Sequence, residues 1–300
     1  MTGTAPRRSS FVLFLAIAHL WSWLFWIPLV LALENLMSSL TAEPASSKGR
    51  LEGIPPWAHL IAMIGGFGPT VAAIYASWRE GKRPEVQEIL RKLTYWRVSV
   101  QWHLVAWLTP SAFLAVAMVM CALIVSDLPQ PTMARAYMMV PVLLFSIPFG
   151  PLGEELGWRG YLLPRLQQRY SAFVCSIMIG IIWTFWHTPL FWAPAGTMIS
   201  GEPVTFLAVG KYLFFTTGFS FLFTWLYNNT KGSVFLAVVL HTTMNANILL
   251  FLFPRQNSGT VRLWMDLIII PLWITVIIIV WYFGPQTLSR KLSVGSLKQN

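Results

Sequence analysis

Charge is scarce in this sequence. Asp, Glu, Lys and Arg make up only 11% of its 300 residues, whereas a soluble domain carries about 25%. With 56% hydrophobic residues and a mean hydropathy of +0.60, that shortage argues against an ordinary soluble domain. Acids are the rarer sign, 11 against 21 basic residues. Cysteine is nearly absent: Cys121 and Cys175 both lie inside apolar runs, so neither a disulfide framework nor a thiolate metal knuckle is suggested. No His-Glu-x-x-His run is present, which removes the helical zinc-protease pattern. There is no internal repeat and no second domain to be read.

What remains is apolar and aromatic. The 16 Trp and 20 Phe fit aromatic belts at two membrane interfaces. The expected architecture is all-α, a polytopic membrane helix bundle forming a single domain over 1–300, with its polar motifs concentrated in 140–250. A net charge of +10 is not a nucleic-acid signal here. Most of the cations fall in short connectors or at segment ends, where they set topology and meet anionic headgroups.

A spanning helix needs about 20 mostly apolar residues. Eight runs meet or approach that length: Phe11–Ala32, Trp57–Trp78, Trp102–Val125, Tyr137–Gly153, Ala172–Trp192, Val204–Tyr227, Val234–Phe253 and Leu263–Phe283. The first follows a basic flank but is longer than a signal-peptide core and lacks a small-residue cleavage site, so it reads as an uncleaved helix. The fourth is expected to continue through Glu154, Glu155 and Arg159 toward Gln168, kinked by Pro141, Pro148 and Pro164. With eight spans, 15 Lys and Arg fall on the side of the N-terminus and 5 on the other, which predicts an integral multi-pass protein with both termini in the cytoplasm. Arg79–Arg97 places Val86, Ile89, Leu90 and Leu93 at helical spacing among charges, the pattern of an interfacial amphipathic helix as well as of a topological stop. Glu34–Pro56 reads as an outside loop, and the tail from Gly284 as a frayed end.

Against this background one stretch stands out. Glu154-Glu155-Leu-Gly-Trp-Arg159 holds the only adjacent acids in the chain, where a membrane segment ends. Acids beside hydrocarbon are costly enough to suggest function by default. Glu155 and Arg159 are four apart and share a helix face, so they can neutralise each other. Glu154 points about 100° away and is left to face the bundle interior. A carboxylate drawn partly out of water has the proton affinity wanted in a general base. The plainer reading is a charged helix end at the lipid boundary.

Two other segments carry embedded polar groups. His187 ends Trp183-Thr-Phe-Trp-His and precedes Thr188-Pro189, where proline disturbs the helix and frees backbone groups; a lone His in an apolar helix is also compatible with a structural role. His241 and Asn245 are four apart and face one way. They suit an oxyanion clamp or a water-positioning pair, or an interhelical hydrogen bond. Asn247 points elsewhere. His19, His59 and His103 have structural explanations, Lys211 can snorkel, and Asp266 is four residues from Arg262, close enough to pair with it.

Taken in order, these three motifs resemble the CAAX prenyl endopeptidase and bacteriocin-processing (CPBP, or Abi) family of intramembrane endopeptidases. Arg159-Gly160-Tyr161-Leu162 extends the first motif as in many members, and Gly68-Pro69 followed by alanines is a weaker echo. The family usually has Phe four residues before the first His, where this chain has Trp183. The resemblance implies a bundle of about eight helices with a cytoplasm-facing cavity. In it Glu154 would activate water, His187 would help hold that water, His241 and Asn245 would stabilise the oxyanion, and Glu155 and Arg159 would shape the site. It implies a hydrolase acting on a membrane-associated peptide or protein, prenylated CAAX tails among the candidates, in contact with membrane lipid and with no nucleic-acid partner. A metal-free glutamate mechanism is preferred. Zinc is the alternative, with Glu154, His187 and His241 as its ligands. The competing functions are a non-enzymatic immunity or scaffold protein binding a peptide partner, and a small-solute transporter, for which no inverted repeat is seen. One geometric difficulty follows. His187 lies about 16 residues into its helix and His241 about eight, a depth offset of roughly 12 Å that tilt or a later helix start must absorb.

Overall fold

Long apolar runs without internal caps become long helices, which continue even through Pro28, Pro110 and Pro271. A computed structural model describes residues 8–40, 55–125, 139–148, 150–193, 197, 200, 203–248 and 259–290. Among these there are helices and no strands. In chain order they are α1 (Arg8–Leu40), α2 (Pro56–Gly66), α3 (Gly68–Leu93), α4 (Val100–Ala122), α5 (Met139–Ser146) and α6 (Pro151–Glu155). A π-helical segment (Leu156–Leu162) runs into α7 (Leu163–Leu166) and α8 (Ala172–Trp186). A 3-10 turn (Thr188–Trp192), α9 (Phe206–Asn229), α10 (Val234–Asn247) and α11 (Gly259–Phe283) complete the set.

The protein is an integral membrane protein with an all-α bundle. Each of the eight apolar runs contains a helix, yet only five helical stretches among the described residues are long and apolar enough to cross a membrane: Ser10–Leu36, Pro56–Leu93, Val100–Ala122, Phe206–Asn229 and Leu263–Phe283. Ala172–Trp186 and Val234–Asn247 are shorter. The fifth run stops early because Pro189 removes a backbone donor and biases Thr188 away from the helix. In the seventh run, residues 249–253 lie outside the described residues, as do residues 137 and 138 of the fourth.

Several boundaries differ from expectation. Glu34 does not open a loop: α1 carries on to Leu40, since Glu, Asn, Leu and Met supply no breaker, and residues 41–54 lie outside the described set. The second run is two helices parted at Phe67. The connector Arg79–Arg97 is helical to Leu93, after a break at Gly81 and Lys82, where Lys82 takes φ 57. Its apolar face docks through Ile89, only 1% exposed, as amphipathic spacing requires. Lys211 binds Asp266 and so ties α9 to α11; the expected Arg262–Asp266 pair involves a side chain that lies outside the described residues. The tail is not frayed through 290. The N–H groups of Ala172 and Phe173 donate to Gln286 and Pro285 carbonyls, Asn228 binds the Thr287 carbonyl, and Leu288 is fully buried. Residues 291–300 lie outside the description.

Hydroxyl caps start the inner helices. Ser171, Thr205 and Ser233 accept from the N–H groups of Val174, Ala208 and Leu236, satisfying donors at the ends of α8, α9 and α10. Indole N–H groups then join elements across the bundle. Trp186 donates to the Ala18 carbonyl and the Ser22 hydroxyl, and Trp26 to the Ala62 carbonyl. Ala72, Ala73 and Ala76 are fully buried on α3, a small-residue stripe that lets helices approach closely in a membrane. This seam receives the π segment: a Cβ on Gly157 would sit 2.5 Å from the Pro69 carbonyl oxygen. The segment carrying the polar residues is therefore pressed against the start of α3.

Candidate active site

The fourth run bends before it reaches its acids. α5 ends at Ser146, and the chain re-enters helix through Gly150, whose φ of 115 favours glycine. The Gly150 carbonyl accepts from the Glu154 N–H at 2.8 Å, opening α6. Glu154 is 4% exposed, while Glu155 and Arg159 are at 0% and 1%. The expected Glu155–Arg159 pair is present at 2.9 Å. It spans the junction of α6 with the π segment, a helix form that recurs at functional sites.

Glu155 has a second partner that the sequence reading missed. Its Oε1 also meets His241 Nδ1 at 2.8 Å. An ionised carboxylate only accepts, so Nδ1–H is the donor and Nε2 of His241 is the ring nitrogen left for other chemistry. Arg159 is caged: its guanidinium carbon lies 3.9 Å from the Phe223 ring centroid and 5.0 Å from that of Trp183, and Nη2 reaches the Ser220 hydroxyl at 3.5 Å. A planar, weakly hydrated cation is suited to such aromatic burial.

Trp183 is the hub. Its Nε1–H donates to Glu154 Oε2 at 2.5 Å. Its ring centroid is 5.4 Å from that of His241 and 5.9 Å from that of His187. One side chain thus touches Glu154 and both imidazoles. This also resolves the depth offset. α8 does start at Ala172, but Trp183, one turn before His187, spans the gap to His241. His187 Nδ1 is engaged by the Trp183 carbonyl at 2.9 Å, and its ring packs among Trp26, Trp186 and Tyr212.

Asn245 stands opposite. The position a Cβ would take on Gly150 lies 3.0 Å from Glu154 Oε1 and 3.5 Å from Asn245 Nδ2. The free oxygen of Glu154 and the amide donor of Asn245 therefore flank one small space that only glycine leaves open. Asn247 is elsewhere, as expected, binding Ser111 and the Thr243 carbonyl. All six residues singled out in the sequence meet here, Glu154, Glu155, Arg159 and His241 by contact with one another or with Trp183, His187 through Trp183, and Asn245 across Gly150. Among the described residues no group of three His, Cys, Asp or Glu side chains is arranged to hold a metal ion. A groove of about 680 Å³ in the crook of α3, lined by residues such as Ile74, Trp78 and Leu90, contains none of the six.

Comparison with known proteins covers this same stretch. Residues 135–247 match the family described as type II CAAX prenyl endopeptidase, Rce1-like. The similarity to that family covers residues 135–247, less than half of the chain. A protein named CAAX prenyl protease 2 from Methanococcus maripaludis is 33% identical over 108 residues, 36% of this chain. The match takes in 40% of that protein's length. All six candidate residues lie within the family segment. The residues that the motif reading did not use as partners are Trp183, quoted only as a bulky aromatic, and Ser220, Phe223 and Gly150. The only sequence signal among them is an indole where a family Phe has no donor.

Proposed function

We propose that the protein is an intramembrane endopeptidase that hydrolyses a peptide bond of a membrane-associated protein or peptide, with CAAX-type tails as the first substrates to test. One membrane domain would serve this activity, with the chemistry in 140–250 and both termini in the cytoplasm. The observation that carries the reading is the pairing of two adjacent acids with different partners. Glu155 is held through Oε1 by both Arg159 and His241, while Glu154 is held through Oε2 by Trp183 and turns its unbonded Oε1 toward Asn245.

In the proposed reaction the ionised Glu154 carboxylate takes a proton from water as the water attacks the scissile carbonyl carbon. His187 Nε2 helps orient that water. The oxyanion is received by Asn245 Nδ2–H and, when His241 is an imidazolium, by its Nε2–H. Glu155 bears on this second donor: with Nδ1–H committed to Glu155, only the doubly protonated ring has a donor at Nε2. When His241 is an imidazolium, Glu155 faces two cations, Arg159 and His241, and positive charge is concentrated where the oxyanion develops. Glu154 then returns the proton to the leaving amine. No step is routed through a metal.

The test is cleavage by purified protein in lipid, against a peptide library that includes prenylated tails, with wild type, Glu154→Gln and chelator-treated wild type in parallel. Cleavage lost in Glu154→Gln and kept with chelator is expected. Loss with chelator as well would favour zinc. Equal cleavage by wild type and Glu154→Gln would overturn the mechanism, and binding of a peptide without cleavage would favour the scaffold function.

A further inference from the structure

We infer that Trp183 is a positioning residue for Glu154, acting through its indole N–H, so that this chain's catalytic carboxylate is steered by a hydrogen bond that a phenylalanine at the same place could not make. This rests on the proposed role of Glu154 and adds to it a residue and a chemical device. The geometry is specific. Nε1 meets Oε2 at 2.5 Å with both side chains buried, which commits one carboxylate oxygen. The other, Oε1, is then the one turned toward Gly150 and Asn245.

The indole is itself locked. Trp183 is 2% exposed and stacks edgewise on Phe223 and His241, and its own backbone carbonyl holds His187 Nδ1. Its plane cannot swing without disturbing both imidazoles. A carboxylate on a free helix end would rotate about its terminal torsion, which is broad and twofold. A single directed donor removes that freedom and leaves one oxygen aimed at the reacting water. Catalytic groups gain much of their effect from being held in this way before the reaction begins.

The experiment replaces the atom without replacing the shape. Trp183 is changed to 3-benzothienylalanine, which exchanges the indole N–H for sulfur. A 5-fluorotryptophan at the same position keeps the donor, and Glu154→Gln is run beside both. Cleavage of a farnesylated CAAX-tail peptide is measured in lipid. The benzothienyl variant should lose about 10- to 100-fold in kcat, the worth of a hydrogen bond to a charged group, with KM little changed, and the fluorinated protein should match wild type. Benzothienyl activity equal to wild type, with Glu154→Gln inactive, overturns the positioning role and leaves Glu154 as the base. Full activity in Glu154→Gln overturns the role of Glu154 itself.

A readout independent of turnover accompanies this. In protein labelled with 15N at the indoles, the Trp183 cross-peak is assigned by its disappearance in Trp183→Phe. It should move in Glu154→Gln, because the acceptor loses its charge. An unmoved peak overturns the hydrogen bond and the inference with it.

Discussion

At the scale of single residues, the proposed reaction divides the four buried polar side chains: Glu154 and His241 would act on the reacting atoms, and Glu155 and Arg159 would support them. Glu154→Gln keeps the shape and removes the base, and is expected to lower kcat by about 10²- to 10⁴-fold while the thermal transition of the protein in detergent stays where it was. Asn245→Ala removes one oxyanion donor, for which a loss of about 10²- to 10³-fold in kcat is expected, measured on the same peptide. Arg159→Ala should behave differently. It strips a buried carboxylate of its cation and destabilises the fold by about 3–5 kcal/mol, so a lowered unfolding midpoint and poor yield should accompany any loss of turnover. An Arg159→Ala protein as stable as wild type would place Arg159 outside the support. The Glu155–Arg159 pair was legible because helix spacing alone brings residues four apart together. The Glu155–His241 bond was not: its partners are separated by 86 positions, and no local periodicity encodes which of two adjacent acids a distant helix will meet. Trp183 was visible only as bulk, because nothing in the motif says where an indole edge points.

At the scale of elements, the site depends on a tight seam between the π segment and α3. A Cβ on Gly157 would come within 2.6 Å of the backbone carbon of Pro69, which cannot yield as a flexible side chain would. Gly157→Ala should therefore destabilise by about 1–3 kcal/mol through overpacking and disturb Glu154 and Arg159 together. Gly210, exposed on α9, is the internal control: a Cβ there meets nothing within 4 Å. Gly210→Ala should stabilise by about 0.5–1 kcal/mol, the helix-interior preference of Ala over Gly. Denaturant titration of both variants checks the pair, and equal shifts would argue against a tight seam. Helix existence was readable in all eight runs from hydrophobic length. Helix ends were less so. α1 overran the expected loop for want of a breaker, and α8 ended at Trp186 because Pro189 follows. The α3 break at Gly81 and Lys82 requires a positive φ at a lysine, which composition does not announce.

At the scale of the whole molecule, the cations set the orientation to be tested. Single cysteines introduced near each terminus are expected to react with a membrane-impermeant maleimide in inside-out vesicles and to be protected in right-side-out ones. The native cysteines are buried and give a low background. Labelling of both termini from the opposite face would invert the topology and place the site near the other surface. The bundle also closes on itself in ways a list of spans does not convey. Residues 285–288 seal the starts of α8 and the end of α9, and the Lys211–Asp266 pair clamps α9 to α11. Both embedded charges had local explanations in the sequence, yet they also meet each other, since an ion at the lipid boundary pairs with an opposite charge that the packing brings near.

The sequence by itself determined the solvent of this protein and the inventory of its chemistry. Apolar runs of spanning length demand a bilayer, and adjacent acids, two embedded His and an Asn are costly there, which marks them as the candidates for its chemistry. Tertiary structure alone decided how those groups are paired. Which acid meets Arg159 and His241, and which turns an unbonded oxygen toward Asn245, depends on the bend at Gly150, the close approach at Gly157 and the reach of the Trp183 indole. Those are contacts between helices distant in sequence, and side-chain periodicity carries no information about them.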